Sequence, residues 1–527
     1  MAFPLLSVIV FLPLLGAVVL AGVPREYVNA LRWGALVTML VTFGLSLALY
    51  PLFDPALPGM QLSEHGAWIS SVGIFYHLGI DGISLPLVLL TTFLSPIAFV
   101  GAWHSITTKV KEFAMFMLLL ETAMLGAFLA LDLFLFFIFW EAMLIPMYLI
   151  IGIWGGENRL YATVKFILYT MAGSALMLVA ILALYVFNQK FSGQLSFDLL
   201  DLYRLPPYLS LRQQKWLFLA FFLSFAIKVP LFPFHTWLPD AHVEAPTPGS
   251  VILAGVLLKM GGYGLLRFCL PLFPAAAAAY APTIAVLAII GIIYGALVAM
   301  VQPDVKKLVA YSSVSHLGFV VLGIFSRQTA GIEGSVLQMV NHGLSTGALF
   351  LLVGMIYERR HTRLISAYGG LWRQMPIFAV FFLVIMLSSI GLPGLNGFVG
   401  EFLILLGTFE YQRSFAVFAA SGIILGAVYM LWMYQRVMYG EITHEENRHL
   451  SDLSPREIAL LVPVVLMIVW IGVYPYTFLR PMDASTAHLL EQMQVQKTMV
   501  AQPCEGRRQA ECGMPNVTLS AREARRP

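Results

Sequence analysis

Charged residues are scarce in this chain of 527 residues. Asp, Glu, Lys and Arg together make up 11% of it, whereas 59% is hydrophobic and the mean hydropathy is +0.83. Because a soluble domain carries about 25% charged residues, this composition predicts a polytopic, all-α membrane protein in a lipid bilayer. The formal net charge of +3 is too small to indicate a nucleic-acid-binding protein.

Cysteines are few, and cofactor motifs are missing. Cys269, Cys504 and Cys512 lack the spacing of a metal site or a disulfide framework, and the last two could pair only in an oxidising compartment. There is no strand–GxGxxG–helix unit and no paired haem-ligand pattern. We therefore expect this chain to bind no metal, flavin, iron–sulfur cluster or NADH. The first apolar segment lacks a basic n-region, which favours a first span over a cleavable signal peptide.

Apolar runs of membrane length predict about fourteen transmembrane helices. They cover residues 4–23, 31–53, 83–103, 113–131, 133–153, 164–187, 216–238, 248–270, 282–301, 308–325, 335–357, 376–409, 415–434 and 458–474. The loops of one side are richer in Lys and Arg, which predicts that side to be cytoplasmic and both termini to lie outside. The segment after Arg480 is polar, and we expect it to be a loose tail.

Two lysines lie in the middle of predicted spans. Lys228 is central in 216–238 and Lys259 is central in 248–270. A charge at the centre of a spanning helix costs on the order of 3 kcal/mol on insertion scales. Because both ammonium groups are about 15–18 Å from either aqueous layer, a lysine stem is too short to carry its charge to water. Such residues indicate a function that requires protonatable groups inside the protein.

Two spans contain helix breakers. Pro230 and Pro233 follow Lys228, and Pro393 lies between two glycines in the twelfth span. Broken helices at matching places in two halves are typical of inverted-repeat transporters, although two ordinary proline kinks remain an alternative. The spacing predicts three helices in 1–110, two inverted five-helix repeats in 111–272 and 273–440, a last helix in 441–480 and the tail in 481–527.

Buried ionisable residues recur at similar depth in consecutive spans. We predict a proton-transfer row formed by Glu141, Lys228, Lys259, His316 and Glu401. Supporting roles fall to the nearby His235, His342, Pro230 and Pro393, and water among neighbouring hydroxyl groups would link the row. At about 10 Å and an effective dielectric near 20, one charge changes the protonation free energy of its neighbour by about 1.7 kcal/mol. Displacing one charge could therefore drive a proton to the next site.

Each residue of the row has a structural alternative. Glu141 and Lys228 could form a static buried pair, His316 could be a hydrogen-bonded core histidine, and Glu401 could cap the helix after the break. The group as a whole is harder to explain in this way, because a purely structural scaffold has no use for lysines at the membrane midplane.

Several sequence strings resemble one family closely. Residues 232–247 read FPFHTWLPDAHVEAPT, and 249–264 read GSVILAGVLLKMGGYG. Further matching strings are LGIDGISL at 78–85, FWEAMLIPMY at 139–148, AYSSVSHLG at 310–318 and YERRHTR at 357–363. They resemble the proton-pumping antiporter-like subunit M of respiratory complex I (NADH-quinone oxidoreductase), the mitochondrial chain 4 type. The resemblance covers about residues 1–480.

This resemblance implies roles for the row. Glu141 and Lys228 are expected to be the coupled pair of the first half-channel, Lys259 the central relay, His316 the link in the second half and Glu401 the terminal proton carrier. It also implies a bacterial inner-membrane protein whose energy comes from quinone reduction in other subunits. Neighbouring antiporter-like and membrane-arm subunits would be its partners. An Mrp-type cation/proton antiporter subunit and a membrane subunit of a related hydrogenase- or ferredoxin-linked complex remain alternatives.

Overall fold

The chain is a multi-pass helical membrane protein. The computed structural model describes residues 3–442 and 444–501, with side chains up to residue 494. Within this part of the chain, twelve helices are long and apolar enough to cross a membrane. They match twelve of the fourteen predicted spans. Of the other two, 376–409 is divided into two helices, and 216–238 is helical up to Lys228 and then broken until Trp237.

The helices of the first half, in chain order, are α1 (Leu5–Gly22), α2 (Val28–Leu47), α3 (Leu49–Leu52), α4 (Ser84–Gly101), α5 (Val110–Leu129), α6 (Leu133–Ala142), α7 (Leu144–Trp154), α8 (Arg159–Ser192), α9 (Leu199–Leu202), α10 (Leu211–Lys228), α11 (Trp237–Glu244), α12 (Thr247–Ile252), α13 (Leu258–Gly264) and α14 (Leu270–Leu272).

Those of the second half are α15 (Pro274–Met300), α16 (Val305–Ser326), α17 (Thr329–Arg360), α18 (Leu371–Gln374), α19 (Pro376–Ser389), α20 (Asn396–Tyr411), α21 (Arg413–Met438), α22 (Pro455–Val473), α23 (Tyr476–Leu479) and α24 (Asp483–Ala501). Short 3₁₀ turns cover Ser70–Val72, Pro206–Tyr208, Ile365–Ala367 and Glu445–His449.

Polar caps fix where several of these helices begin. The Asp132 carboxylate accepts hydrogen bonds from the backbone N–H groups of Phe134 and Leu135 at the start of α6. Ser210 with Gln213, and Ser454 with Glu457, form capping boxes for α10 and α22. Each cap satisfies backbone donors that have no partner inside the helix, so the apolar runs start at defined residues.

Both predicted helix breaks are present. Helix α10 ends at Lys228, Pro230 follows, and α11 begins at Trp237. The Trp237 indole N–H donates to the Ile227 carbonyl over 2.8 Å, which satisfies a backbone acceptor exposed by the break. Residues 390–395, with Pro393 among them, separate α19 from α20. The equivalence of the two halves as inverted repeats, and the domain boundaries that follow from it, stay predictions.

A third irregularity lies around Lys259 and was not predicted. The span Thr247–Leu272 contains two π-helical turns, Leu253–Leu257 and Leu265–Cys269, on either side of α13. Turns of this kind insert one extra residue into a helix, and they are frequent at functional sites. Each turn changes the direction in which the residues after it face, relative to the residues before it. Neither turn contains a proline.

The predicted helical fold is confirmed with one β-hairpin added, and the expectation of a loose segment after Arg480 was wrong. A β-hairpin interrupts the all-α pattern, with β1 (Gln61–Ile69) antiparallel to β2 (Ile74–Ile80) in the connection between α3 and α4. The segment after Arg480 is not loose throughout, because α24 packs on the bundle and buries Met482 and Thr486 completely. Cys504 and Cys512 lie outside the described residues.

Candidate functional site: a buried polar row

Lys259 and His342 form a contact at the centre of the bundle. The Lys259 side chain is 0% exposed, and its Nζ lies 2.6 Å from His342 Nδ1. Nζ also contacts the carbonyl of Ala254, which lies in the first π-helical turn. When the Lys259 amine is protonated it can only donate, so Nδ1 of His342 then accepts from it. The π-turn therefore supplies an acceptor to a buried cation.

His316 and Glu401 continue this row. The rings of His342 and His316 have centroids 5.9 Å apart, and His316 Nδ1 lies 3.1 Å from Glu401 Oε1. These side chains come from α13, α17, α16 and α20, so four separate helices contribute to one row. Lys259, His316 and Glu401 were predicted as row members, and His342, predicted only as supporting, lies between Lys259 and His316.

The break between α19 and α20 makes room for the Glu401 carboxylate. Gly391 has φ +73°, a conformation that favours glycine. A Cβ at Gly391 would lie 2.9 Å from Glu401 Oε2, so any side chain there would press on the carboxylate. Gly391 is thus required both for the turn and for the acid beside it.

Amide and hydroxyl groups line the same region. Gln338 Nε2 donates to Glu401 Oε1 over 3.2 Å, and Asn341 Nδ2 donates to the Asn396 carbonyl over 2.7 Å. Ser345 Oγ and Ser388 Oγ lie 2.6 Å apart. Gln338, Asn341, Ser345 and Ser388 surround a cavity of about 10 Å³, which is also lined by His316, His342 and Thr346. That volume is close to the lower limit for one water molecule, and the walls offer the polar partners that such a water needs.

The predicted pair Glu141 and Lys228 is not hydrogen-bonded in this structure. Lys228 is 1% exposed, and its Nζ has no hydrogen-bond partner among the described residues. It faces the Trp140 ring at 5.2 Å and the Phe166 ring at 5.8 Å from the centroids. Glu141 is half-buried at the end of α6, and its Oε1 has no partner there either. Trp140, the residue before Glu141, thus packs against Lys228, and the two charged side chains interact electrostatically without a hydrogen bond.

Two buried histidines follow α10: His235 lies in the break and His242 in α11. His235 contacts the rings of Phe232 and Tyr294, with centroids 5.7 and 5.1 Å away. His242 is 0% exposed and stacks on Phe350 at 4.7 Å. Neither imidazole has a hydrogen-bond partner within the part of the chain that the structure describes. Buried nitrogens without hydrogen-bond partners are unusual. His235 was predicted as a supporting residue, whereas His242 was missed, although it lies in the same sequence string.

A large polar cavity opens at the end of the bundle opposite the start of α1. It has a volume of about 550 Å³, and its wall includes Trp154, Glu244, Lys306 and Arg363. Lys306 Nζ donates to the Ala245 carbonyl over 2.6 Å, and Arg363 Nη1 donates to the Val243 carbonyl over 2.7 Å. The cavity reaches the end of α11 and the turn to α12, where its wall includes Val243, the residue next to His242. Sequence reading missed it, because its lining comes from five separate connections.

Known proteins resemble this chain over most of its length. The family model described as NADH:quinone oxidoreductase/Mrp antiporter, TM, matches residues 130–426. NADH-quinone oxidoreductase subunit M of Rhodobacter capsulatus is 50% identical over 95% of this chain and 99% of the relative. NADH-ubiquinone oxidoreductase chain 4 of Marchantia polymorpha is 44% identical over 92% of this chain and 97% of the relative.

A solved structure gives the same result for the fold. A chain in the structure of respiratory complex I from Thermus thermophilus with bound NADH superposes with a TM-score of 0.83 at 34% identity, covering 92% of this chain and 99% of that one. The resemblance expected from the sequence strings is confirmed. This chain therefore belongs to the NADH:quinone oxidoreductase/Mrp antiporter family of membrane subunits.

Proposed function

We propose that this chain is the proton-translocating, antiporter-like membrane subunit of an NADH:quinone oxidoreductase in a respiratory chain. The observation that carries the proposal is the continuous buried contact from Lys259 through His342 and His316 to Glu401. A protein that only spans the membrane gains nothing from four ionisable groups buried side by side, since each costs free energy there. The relatives at 44–50% identity support the same enzyme complex.

Protons move along this row in the proposed mechanism. Lys259 passes a proton to His342, whose ring packs beside that of His316, and Glu401 is the last carrier. Glu141 and Lys228 act before Lys259, as a pair whose mutual attraction depends on the charge state of neighbouring groups. The large cavity near Lys306 supplies water to the end of α11, which carries His242 and follows the break that contains His235. The prolines of both breaks, Pro230 and Pro393, keep the helices open at these points.

The energy for pumping comes from other subunits in this proposal. The chain itself holds no flavin, iron–sulfur cluster, NADH or quinone, and it acts through movement of charge alone. Its partners are the adjacent antiporter-like and membrane-arm subunits, which contact it at the flanks of the broken helices. It lies in the bacterial inner membrane with both termini periplasmic. In this orientation the basic residues Lys109, Lys111, Lys306 and Arg363 lie on the cytoplasmic side, as the positive-inside rule predicts.

Proton pumping in inverted membrane vesicles tests the proposal. We expect Lys228→Ala to abolish most NADH-driven acidification and most NADH oxidation, while the complex still assembles on a native gel. Lys215→Ala is the matched control, since it removes the same side chain from the first turns of the same helix, where Nζ faces Tyr280. Lys228→Arg keeps the charge and should retain part of the activity. Wild-type pumping and oxidation in Lys228→Ala would contradict the mechanism.

An Mrp-type cation/proton antiporter subunit is the alternative function, because the matching family model includes such proteins. The two functions differ in what drives proton movement. In vesicles without NADH, an antiporter subunit should exchange protons for an imposed sodium gradient, whereas a complex I subunit should stay silent until NADH is added.

A further inference from the structure

Two histidines and an aspartate converge on the β-hairpin, outside the membrane-spanning helices. The strand register places His65 of β1 directly opposite His77 of β2, so both side chains lie on one face of the hairpin. Asp198, the N-cap of α9, faces them from another part of the chain. His77 Nδ1 lies 2.5 Å from Asp198 Oδ2, and His65 Nε2 lies 3.9 Å from the same oxygen.

Further contacts hold two of these groups in place. The second ring nitrogen of His77, Nε2, lies 2.8 Å from Ser63 Oγ, and the other oxygen of Asp198, Oδ1, accepts from Leu200 N–H over 2.9 Å. Partners of this kind on the far atom of a histidine or a carboxylate are typical of metal ligands, because they fix the tautomer and the direction of the lone pair. His77 and Asp198 are buried, whereas the side chain of His65 is 50% exposed and gives access from water.

A hydrogen bond explains only part of this arrangement. It accounts for His77 and Asp198, but the 3.9 Å from His65 is too long for a hydrogen bond. One ligand atom from each of the three residues lies within 4.8 Å of the others. Ligand atoms on a tetrahedral zinc ion, at 2.0–2.1 Å from it, are about 3.3 Å apart. That geometry is reached when His77 and Asp198 move slightly apart and the exposed His65 moves slightly closer to both.

We propose that His65, His77 and Asp198 bind a divalent transition-metal ion, with zinc as the best match and water as the fourth ligand. Two imidazoles and one carboxylate suit zinc better than calcium or magnesium, which prefer oxygen ligands. The bound ion links the hairpin, which belongs to the segment 1–110, to the connection before α9 in the segment 111–272. Backbone contacts already join these parts, such as Phe197 N–H donating to the Gly73 carbonyl over 3.1 Å. The ion therefore stabilises an existing junction on the side where the chain begins, and the site is independent of the proton row.

Zinc content of the purified complex tests this site. The complex is freed of metal with a chelator and equilibrated with buffered zinc, and the zinc retained per complex is measured by mass spectrometry. We expect His65→Gln to lose one zinc ion, with apparent affinity at the site at least about a hundredfold weaker. Ser63→Ala should weaken binding by about tenfold, the usual effect of removing a partner behind a ligand. His65→Cys, which supplies another zinc ligand, should retain the ion.

The control is His449→Gln, the same change at an exposed histidine on the opposite side of the bundle, which should leave the zinc content unchanged. X-ray absorption at the zinc edge should lose a contribution from imidazole at about 2.0 Å in His65→Gln. Because His65 is half-exposed, its substitution does not endanger folding. Equal zinc content in the wild type and in His65→Gln at every zinc concentration would overturn the proposal, and so would the loss of zinc in His449→Gln as well.

Discussion

The buried ion pair between Asp81 and Arg267 is predicted to hold the N-terminal helices against the rest of the bundle. Arg267 Nη2 lies 2.6 Å from Asp81 Oδ1, and only 6% and 5% of the two side chains are exposed. Asp81 Oδ1 also accepts from the backbone N–H of Ser84 over 2.9 Å. The next residue, Gly82, donates its N–H to Ser485 Oγ of α24. The perturbation is Asp81→Asn, which keeps an oxygen acceptor for the backbone and removes only the charge.

The expected magnitude follows from burial. Removing one partner of a buried ion pair costs about 3–5 kcal/mol, because the other charge is left uncompensated in a low-dielectric region. That range corresponds to about a 140- to 4,000-fold change in the folding equilibrium. Asn still caps the turn at Ser84 almost as well as Asp does, so the loss reports the charge. An exposed pair such as Arg25 and Glu112, in which the arginine side chain is 76% exposed, is worth at most about 1 kcal/mol.

The assay is thermal disassembly of the detergent-solubilised complex, followed on native gels. Asp81→Asn should lower the midpoint far more than Glu112→Gln, the matched change in the exposed pair. The double variant Asp81→Leu with Arg267→Met should recover most of the loss, because apolar residues can replace a buried pair. If the double variant is no more stable than either single change, or if Asp81→Asn equals Glu112→Gln, the reasoning about this pair is wrong.

The same pair gives a pH dependence of known sign. Burial alone would raise the pKa of Asp81, but the Arg267 guanidinium and the Ser84 donors lower it below its ordinary 3.8. A carboxylate whose pKa is lowered by folding contributes stability that is present above the unfolded value. We therefore expect the wild type to lose stability as the pH falls below about 4, and Asp81→Asn to lack this particular loss.

Three further predictions concern the row and the C-terminal helix. Glu401→Gln keeps the shape of the side chain and a hydrogen-bonding oxygen but cannot carry a proton, so NADH-driven pumping in inverted vesicles should fall at least about tenfold. His342→Leu should lower pumping in the same way. Normal pumping in either variant would remove that residue from the path. Glu121→Gln is the contrasting case, because this buried carboxylate has no hydrogen bond to the row. Pumping should therefore stay within about twofold of wild type, and a larger loss would place Glu121 on a second proton path. A stop codon after Arg480 removes three buried apolar side chains of the α24 segment, including Met482. Their burial contributes about 5 kcal/mol or more to stability, so native gels should show less assembled complex. Unchanged assembly would mean that α24 is dispensable.

Length and hydropathy made the membrane helices predictable. A run of about twenty apolar residues has few alternatives in a bilayer, and twelve such runs became long helices near the predicted positions. Proline made both breaks predictable for a similar local reason, because it removes a backbone donor wherever it occurs. These features depend on short stretches of sequence, and sequence reading handles such stretches well.

The π-helical turns and α24 depend on contacts between distant residues. No residue in Leu253–Leu257 breaks a helix by itself, and the π-turn is accompanied by the contact of Lys259 with the Ala254 carbonyl. Helix α24 is polar enough to read as a loose tail, yet Leu489 and Met493 on one side of it are buried against the bundle. Local composition does not record which surface a helix meets, so both were missed.

The row shows the same division within one site. Depth along a span follows from counting residues at 1.5 Å each, and this count grouped Lys259, His316 and Glu401, which the structure joins through His342. Lateral order depends instead on how each helix is rotated about its own axis, which packing decides. For that reason His342 was predicted only as a supporting residue, although it contacts Lys259. Two π-helical turns flank Lys259 and change that rotation by an amount that no residue count contains, so the order of a proton path through such a helix has to be taken from the structure.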